Sequence, residues 1–208
     1  MIPNDAANVR LIGKSPSSYR SMRITNQTVQ EIANGTGTAD LPDEWFVRPS
    51  IEEMQNPITT TLAVMACDRL ISKQDYTGAK EEIRDLLNAP IAVSPYHRNY
   101  LQAQLLLCLL LTEHTADEIN ALYTKPLKNF IQMMSSTILG VVCQYAIAVL
   151  WDKNPQNAIL LRKRFDKLAT HYPYPVEIKE AQELLKMIDQ QADLKTAIPK
   201  VPPQGEDL

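Results

Sequence analysis

Apolar positions repeat at helical spacing through most of the chain beyond residue 55. Ile58, Leu62, Met65, Ala66 and Leu70 share one face and predict a helix from Asn56-Pro57 to about Lys73. Asp75 is placed to cap a second helix to about Leu87, with Ala79, Ile83, Leu86 and Leu87 inward, and Asn88-Ala89-Pro90 ends it. Ser94-Pro95 starts a long helix to about Thr112. A serine oxygen can accept a free N–H of the first turn there, and proline has no N–H to leave unpaired. Thr115-Ala116-Asp117-Glu118 has the form of a capping box and opens a return segment that Pro126 interrupts. Ser135 and Ser136 precede a helix to Trp151, Asn154-Pro155 starts its partner to about His171, and Tyr174-Pro175 starts a last helix to about Leu194.

The first part of the chain reads differently. Residues 1–14 are irregular, with a turn at Pro3-Asn4-Asp5. Residues 15–55 predict a helix plus a connector. Ser15-Pro16 opens the helix, Tyr19, Met22, Val29 and Ile32 share a face, and Gly35 closes it. In the connector, Trp45 and Phe46 follow a turn and are expected to plug into the helical body, because exposing both is costly. Residues 56–194 form the helical domain. Residues 195–208, with three prolines and two acids, are expected to be disordered.

The starts at Asn56, Ser94 and Ser136 lie roughly 40 residues apart, the period of a helical-hairpin repeat. The stretch from Leu70 to Ala79, followed by Leu86, Leu87 and Pro90, resembles a tetratricopeptide repeat, with Tyr76 and Ala79 where that repeat packs its two helices. The expected fold is all-α: tetratricopeptide-like stacked hairpins, an α-α superhelix. One hairpin cannot bury its own apolar face, so neighbours stack and leave an extended groove.

Composition narrows the function. Net charge is −3 and aromatic residues are 6%, which gives nucleic acid neither a basic field nor a stacking surface. The most apolar runs, residues 105–111 and 138–151, are shorter than the ~18–20 residues of a membrane-spanning helix. They read as core. Cys67, Cys108 and Cys143 are odd in number and embedded in apolar sequence, as buried free thiols of a reducing compartment would be.

No combination of residues makes a complete active site. His97, His114 and His171 lack metal-ligand spacing, and the cysteines lack a basic neighbour to lower their pKa. Glu81, Glu82 and Asp85, and Glu177, Glu180 and Glu183, alternate with lysine or arginine as solvated helix faces do. Arg162-Lys163-Arg164 with Lys167 is a small basic cluster that could meet an acidic partner or lipid headgroups, though Asp166 balances it as an ordinary exposed face. Gly35-Thr36-Gly37 has neither the strand nor the lysine of a phosphate loop.

Ile2-Pro3-Asn4-Asp5-Ala6-Ala7-Asn8, Leu11-Ile12-Gly13-Lys14-Ser15-Pro16 and Leu41-Pro42-Asp43-Glu44-Trp45-Phe46 resemble the C-terminal part of bacterial site-2-protease-like zinc metallopeptidases, intramembrane proteases of firmicutes. The resemblance continues through Asn56-Pro57, Cys67-Asp68-Arg69-Leu70 and Tyr172-Pro173-Tyr174-Pro175. It implies a His-Glu-x-x-His zinc site on an earlier membrane helix and a third ligand from an Asp-Gly motif. Asp5 matches that aspartate by position, with Ala6 in place of the glycine. The His-Glu-x-x-His motif is absent from the 208 residues, and one carboxylate cannot hold a catalytic zinc.

The leading expectation is therefore a non-catalytic, cytoplasmic helical-repeat domain of a membrane-embedded zinc protease. It would recruit or gate a substrate or regulator, with a protein or peptide on the concave face, no nucleic acid, and membrane contact only through upstream segments. Zinc belongs to the complete protease and not to this chain alone. A second reading makes Asp5 one zinc ligand of a catalytic unit completed elsewhere. A third is a free-standing scaffold.

Overall fold

In the computed structural model of the chain, residues 9–10, 23–24, 57–89, 93–172 and 175–197 are described. The helices begin where a side chain or a proline can close the first turn. They are α1 (Pro57–Ser72), α2 (Tyr76–Asn88), α3 (Pro95–Leu111), α4 (Ala116–Leu122), α5 (Lys125–Met133), α6 (Ile138–Ala146), α7 (Pro155–His171) and α8 (Pro175–Ala197). A 3-10 turn, Met134–Ser136, precedes α6, and a π-helical turn, Ile147–Trp151, extends it. Among the described residues the body from Pro57 to Ala197 contains no strand, so it is all-α.

The caps follow the sequence closely. Ser94 accepts the N–H of His97 at 3.2 Å, with Pro95 in the first turn. Thr115 and Glu118 close a full capping box, and Arg84 of α2 reaches the Glu118 carboxylate at 2.6 Å. The Thr115 amide first, and Arg84 second, hold that carboxyl below its ordinary range. Pro126 divides the return segment into α4 and α5, as its missing N–H requires. Two boundaries differ from expectation. Thr137, one residue beyond the expected start at Ser136, caps α6, its hydroxyl accepting the N–H of Gly140 at 3.1 Å. The last helix continues to Ala197, so the expected tail loses its first three residues to α8.

A third difference lies earlier. Arg23–Ile24 pairs antiparallel with Val9–Arg10, so the helix expected from Ser15 to Gly35 does not run through it. Val9 faces Ile24 in this ladder, and β-branched residues favour extended backbone over helix. The rest of that helix, the connector with Trp45 and Phe46, and residues 198–208 lie outside the described residues.

Two of the hairpins turn by the same device. At the end of α1, Gln74 adopts φ 63° and the Asp75 N–H bonds back to the Leu70 carbonyl at 2.9 Å. Asp75 then caps α2 by accepting the Gly78 N–H at 2.9 Å. At the end of α6, Lys153 adopts φ 52°, the Asp152 N–H reaches the Ile147 carbonyl and the Asn154 N–H the Ala148 carbonyl, each at 2.8 Å. Asn154 then caps α7 by accepting the Asn157 N–H at 3.0 Å. In both, a left-handed residue ends one helix and an Asp or Asn starts the next.

The core explains why two helices lack a polar face. In α3, Leu101 and residues 103–111 are buried, because α1, α2, α4, α5, α6 and α8 surround it. A helix covered on every side is apolar on every side. α6 is buried similarly against α3, α5, α7 and α8. By contrast α2 buries only Tyr76, Ala79, Ile83 and Leu86, a stripe of three-to-four spacing suited to an outer helix. The first helices of successive hairpins pack in order: α1 on α3, α3 on α6, α6 on α8. α3 also touches α8, so the array is more closed than a stack in which each unit meets only its neighbours.

Candidate interaction surface

Cys67, Cys108 and Cys143 are all buried. Burial pushes Cys108 and Cys143 up to about 12, so both stay protonated at neutral pH and are poor nucleophiles. Cys143 Sγ donates to the Ala103 carbonyl at 3.7 Å, tying α6 to α3. The histidines sit apart: the Nδ1 of His97 lies 3.2 Å from the Ser94 hydroxyl, His114 Nδ1 lies 3.0 Å from the Thr112 carbonyl, and His171 ends α7. Glu81 and Asp85 face solvent, and Glu183 pairs with Lys186 at 2.7 Å across one turn, a surface pair of small energetic weight. Among the described residues no three histidine, cysteine, aspartate or glutamate side chains come together as metal ligands. Asp5 lies outside the described residues.

The basic cluster of α7 divides in two. Arg162 turns inward, its guanidinium 3.5 Å from Asp189 of α8 and 5.6 Å from the centre of the Tyr145 ring of α6. Tyr145 donates its hydroxyl to the same Asp189 at 2.7 Å, and burial, with that bond, pushes Tyr145 up to about 12. This triad clamps α6, α7 and α8. Lys163, Arg164 and Lys167 remain outside and exposed.

Sequence reasoning missed two features. The first is a polar cluster inside the core. Gln104 is buried in the apolar run of α3 and donates its amide to Asp68 of α1, which also accepts the Tyr100 hydroxyl at 3.0 Å. Burial and then Asp68 raise Tyr100 well above its ordinary value. Among the described residues, Gln104 Oε1 has no hydrogen-bond partner.

The second is a line of exposed apolar side chains. Tyr96, Met133, Ile159 and Leu160 are 58%, 74%, 58% and 64% exposed. The Tyr96 ring packs edge-on to Phe130 of α5 at 5.7 Å, and Met133 lies one turn beyond Phe130. Ser135, two residues on, accepts a hydrogen bond from Arg164 at 3.1 Å, and Arg164 lies one turn from Leu160. These contacts link the start of α3 to the end of α5, and the end of α5 to the side of α7 that carries Arg164. Lys163, Arg164 and Lys167, against the single acid Asp166, make the outer side of α7 cationic in a protein of net charge −3.

Comparison with protein-family models, with curated proteins and with solved structures found no match. Among the described residues no helix is long and apolar enough to cross a membrane.

Proposed function

We propose that this chain works by binding rather than by catalysis, as a tetratricopeptide-like helical-repeat interaction domain. One observation carries the reading. The first helices of the hairpins, α1, α3, α6 and α8, pack one upon the next and begin about 40 residues apart, as repeat units do, and the half-exposed start of α3 with the exposed side of α8 leaves part of that stack open to a partner. The repeated connector at Gln74-Asp75 and Lys153-Asn154 supports it. The occupant of that face is a protein or peptide. The resemblance of the N-terminal segments adds a setting: the cytoplasmic part of a membrane-embedded zinc metalloprotease, where the domain recruits or gates a substrate or regulator.

Peptidase activity separates this reading from the one in which Asp5 serves a catalytic unit. The purified 208-residue chain, supplied with zinc and an unfolded protein substrate, is expected to cleave nothing, because a catalytic zinc needs three protein ligands and a water. Cleavage that a chelator stops and Asp5→Ala abolishes would replace the binding reading with the catalytic one.

A further inference from the structure

We infer that the cationic, apolar side formed by the end of α5 and the outer face of α7 docks on a membrane surface bearing anionic headgroups. The inference goes beyond the groove reading and does not depend on it. Successive residues of a helix turn by 100°, which places Ile159, Leu160, Lys163 and Lys167 on the side of α7 opposite the buried Ala158, Leu161 and Phe165. Ile159 and Leu160 flank the lysines, and Arg164 and Met133 extend the same patch across the Ser135 contact. Asp166 is the sole acid in α7, at the margin of this face.

The shape selects the occupant. A partner helix needs a groove to lie in, with the anchors of the partner pointing down into it. Here the anchors belong to this chain and stand out from a convex helix. A flat surface meets that geometry. Ile159, Leu160 and Met133 can enter the boundary between headgroups and acyl chains, while Lys163, Lys167 and Arg164 extend their stems and keep their charges at the phosphates. Charge complementarity then requires anionic lipid, because neutral headgroups leave three cations without counter-charge.

The test is co-sedimentation of the full chain with vesicles of phosphatidylcholine alone, or with about one-third phosphatidylglycerol. Binding is expected to the anionic vesicles only, and to fall as salt rises from about 0.1 M to about 0.5 M. Lys163→Glu with Lys167→Glu should weaken it at least about tenfold, and Ile159→Ser with Leu160→Ser should abolish it. All four positions are exposed, so helix content and thermal midpoint should stay unchanged. Equal binding to neutral vesicles, no binding, or undiminished binding by either double variant overturns the inference. So does an acidic polyglutamate peptide that binds the wild type but neither variant while vesicles do not, which assigns the face to an acidic protein.

Discussion

Gly140→Ala should be among the most damaging single substitutions in the chain, lowering stability by about 3 kcal/mol, the upper end of the overpacking range. Gly140 lies in the first turn of α6, directly over the 3-10 turn at Met134–Ser136. A Cβ at this position would stand 2.7 Å from Met134 Cβ and would run into the Met134 carbonyl itself. The carbonyl cannot swing away: the Thr137 hydroxyl and the Thr137 N–H both donate to it at 2.8 Å. Alanine's better helix propensity, about 1 kcal/mol, is too small to compensate. Gly78 is the control. Its added Cβ meets only the Asp75 carboxylate, a side chain at an exposed cap that can rotate away. Gly78→Ala should therefore lose at most the value of one cap, about 1 kcal/mol, and a similar gain in helix propensity offsets it, so its net cost stays under about 1 kcal/mol. Urea unfolding midpoints of the two variants separate the cases, and equal losses would show that the Met134 turn is soft.

Asp68 and Gln104 should respond unequally to removal. Asp68→Ala leaves the buried amide of Gln104 and the hydroxyl of Tyr100 without this acceptor, a loss of about 2–4 kcal/mol. Gln104→Leu removes one of those donors together with the carbonyl oxygen that has no partner among the described residues, and fills the space with apolar atoms. That change should cost only about 1 kcal/mol, since Asp68 is half-buried and keeps the Tyr100 hydroxyl as a donor. The double variant should be more stable than Asp68→Ala alone. Chemical denaturation of all three gives the coupling, and a double variant that simply adds the two losses would mean the pair does not communicate.

Much of the fold was legible because caps are local. Ser94, Thr115 and Asn154 act on N–H groups three residues away, so their neighbours in sequence are their neighbours in space. The left-handed connectors were not legible, because Gln74 and Lys153 are not residues that choose φ above zero on their own. It accompanies the bonds by which each turn closes back on the helix before it, Asp75 to Leu70 and Asn154 to Ala148. The π turn at Ile147–Trp151 leaves no mark in an already apolar run. The surface was less legible than the fold for a related reason. Ala158-Ile159-Leu160-Leu161 is apolar right round one turn, so sequence gives no hint that the middle pair faces out. Arg162-Lys163-Arg164 reads as one cluster until the 100° step sends Arg162 inward to Asp189. Gln104 sits among leucines and acquires its meaning only from Asp68, on another helix.

The binding claim is tested most directly by photo-crosslinking in the living host, with the reactive side chain placed at single exposed or half-exposed positions. Asn99, Lys179 and Lys186 sample the first helices of the hairpins, and Glu81 and Asp117 sample α2 and α4. A domain that binds along its stacked first helices should give discrete protein adducts from Asn99, Lys179 or Lys186 and none from Glu81 or Asp117. Adducts confined to Glu81 and Asp117, or absent from every position, would contradict it.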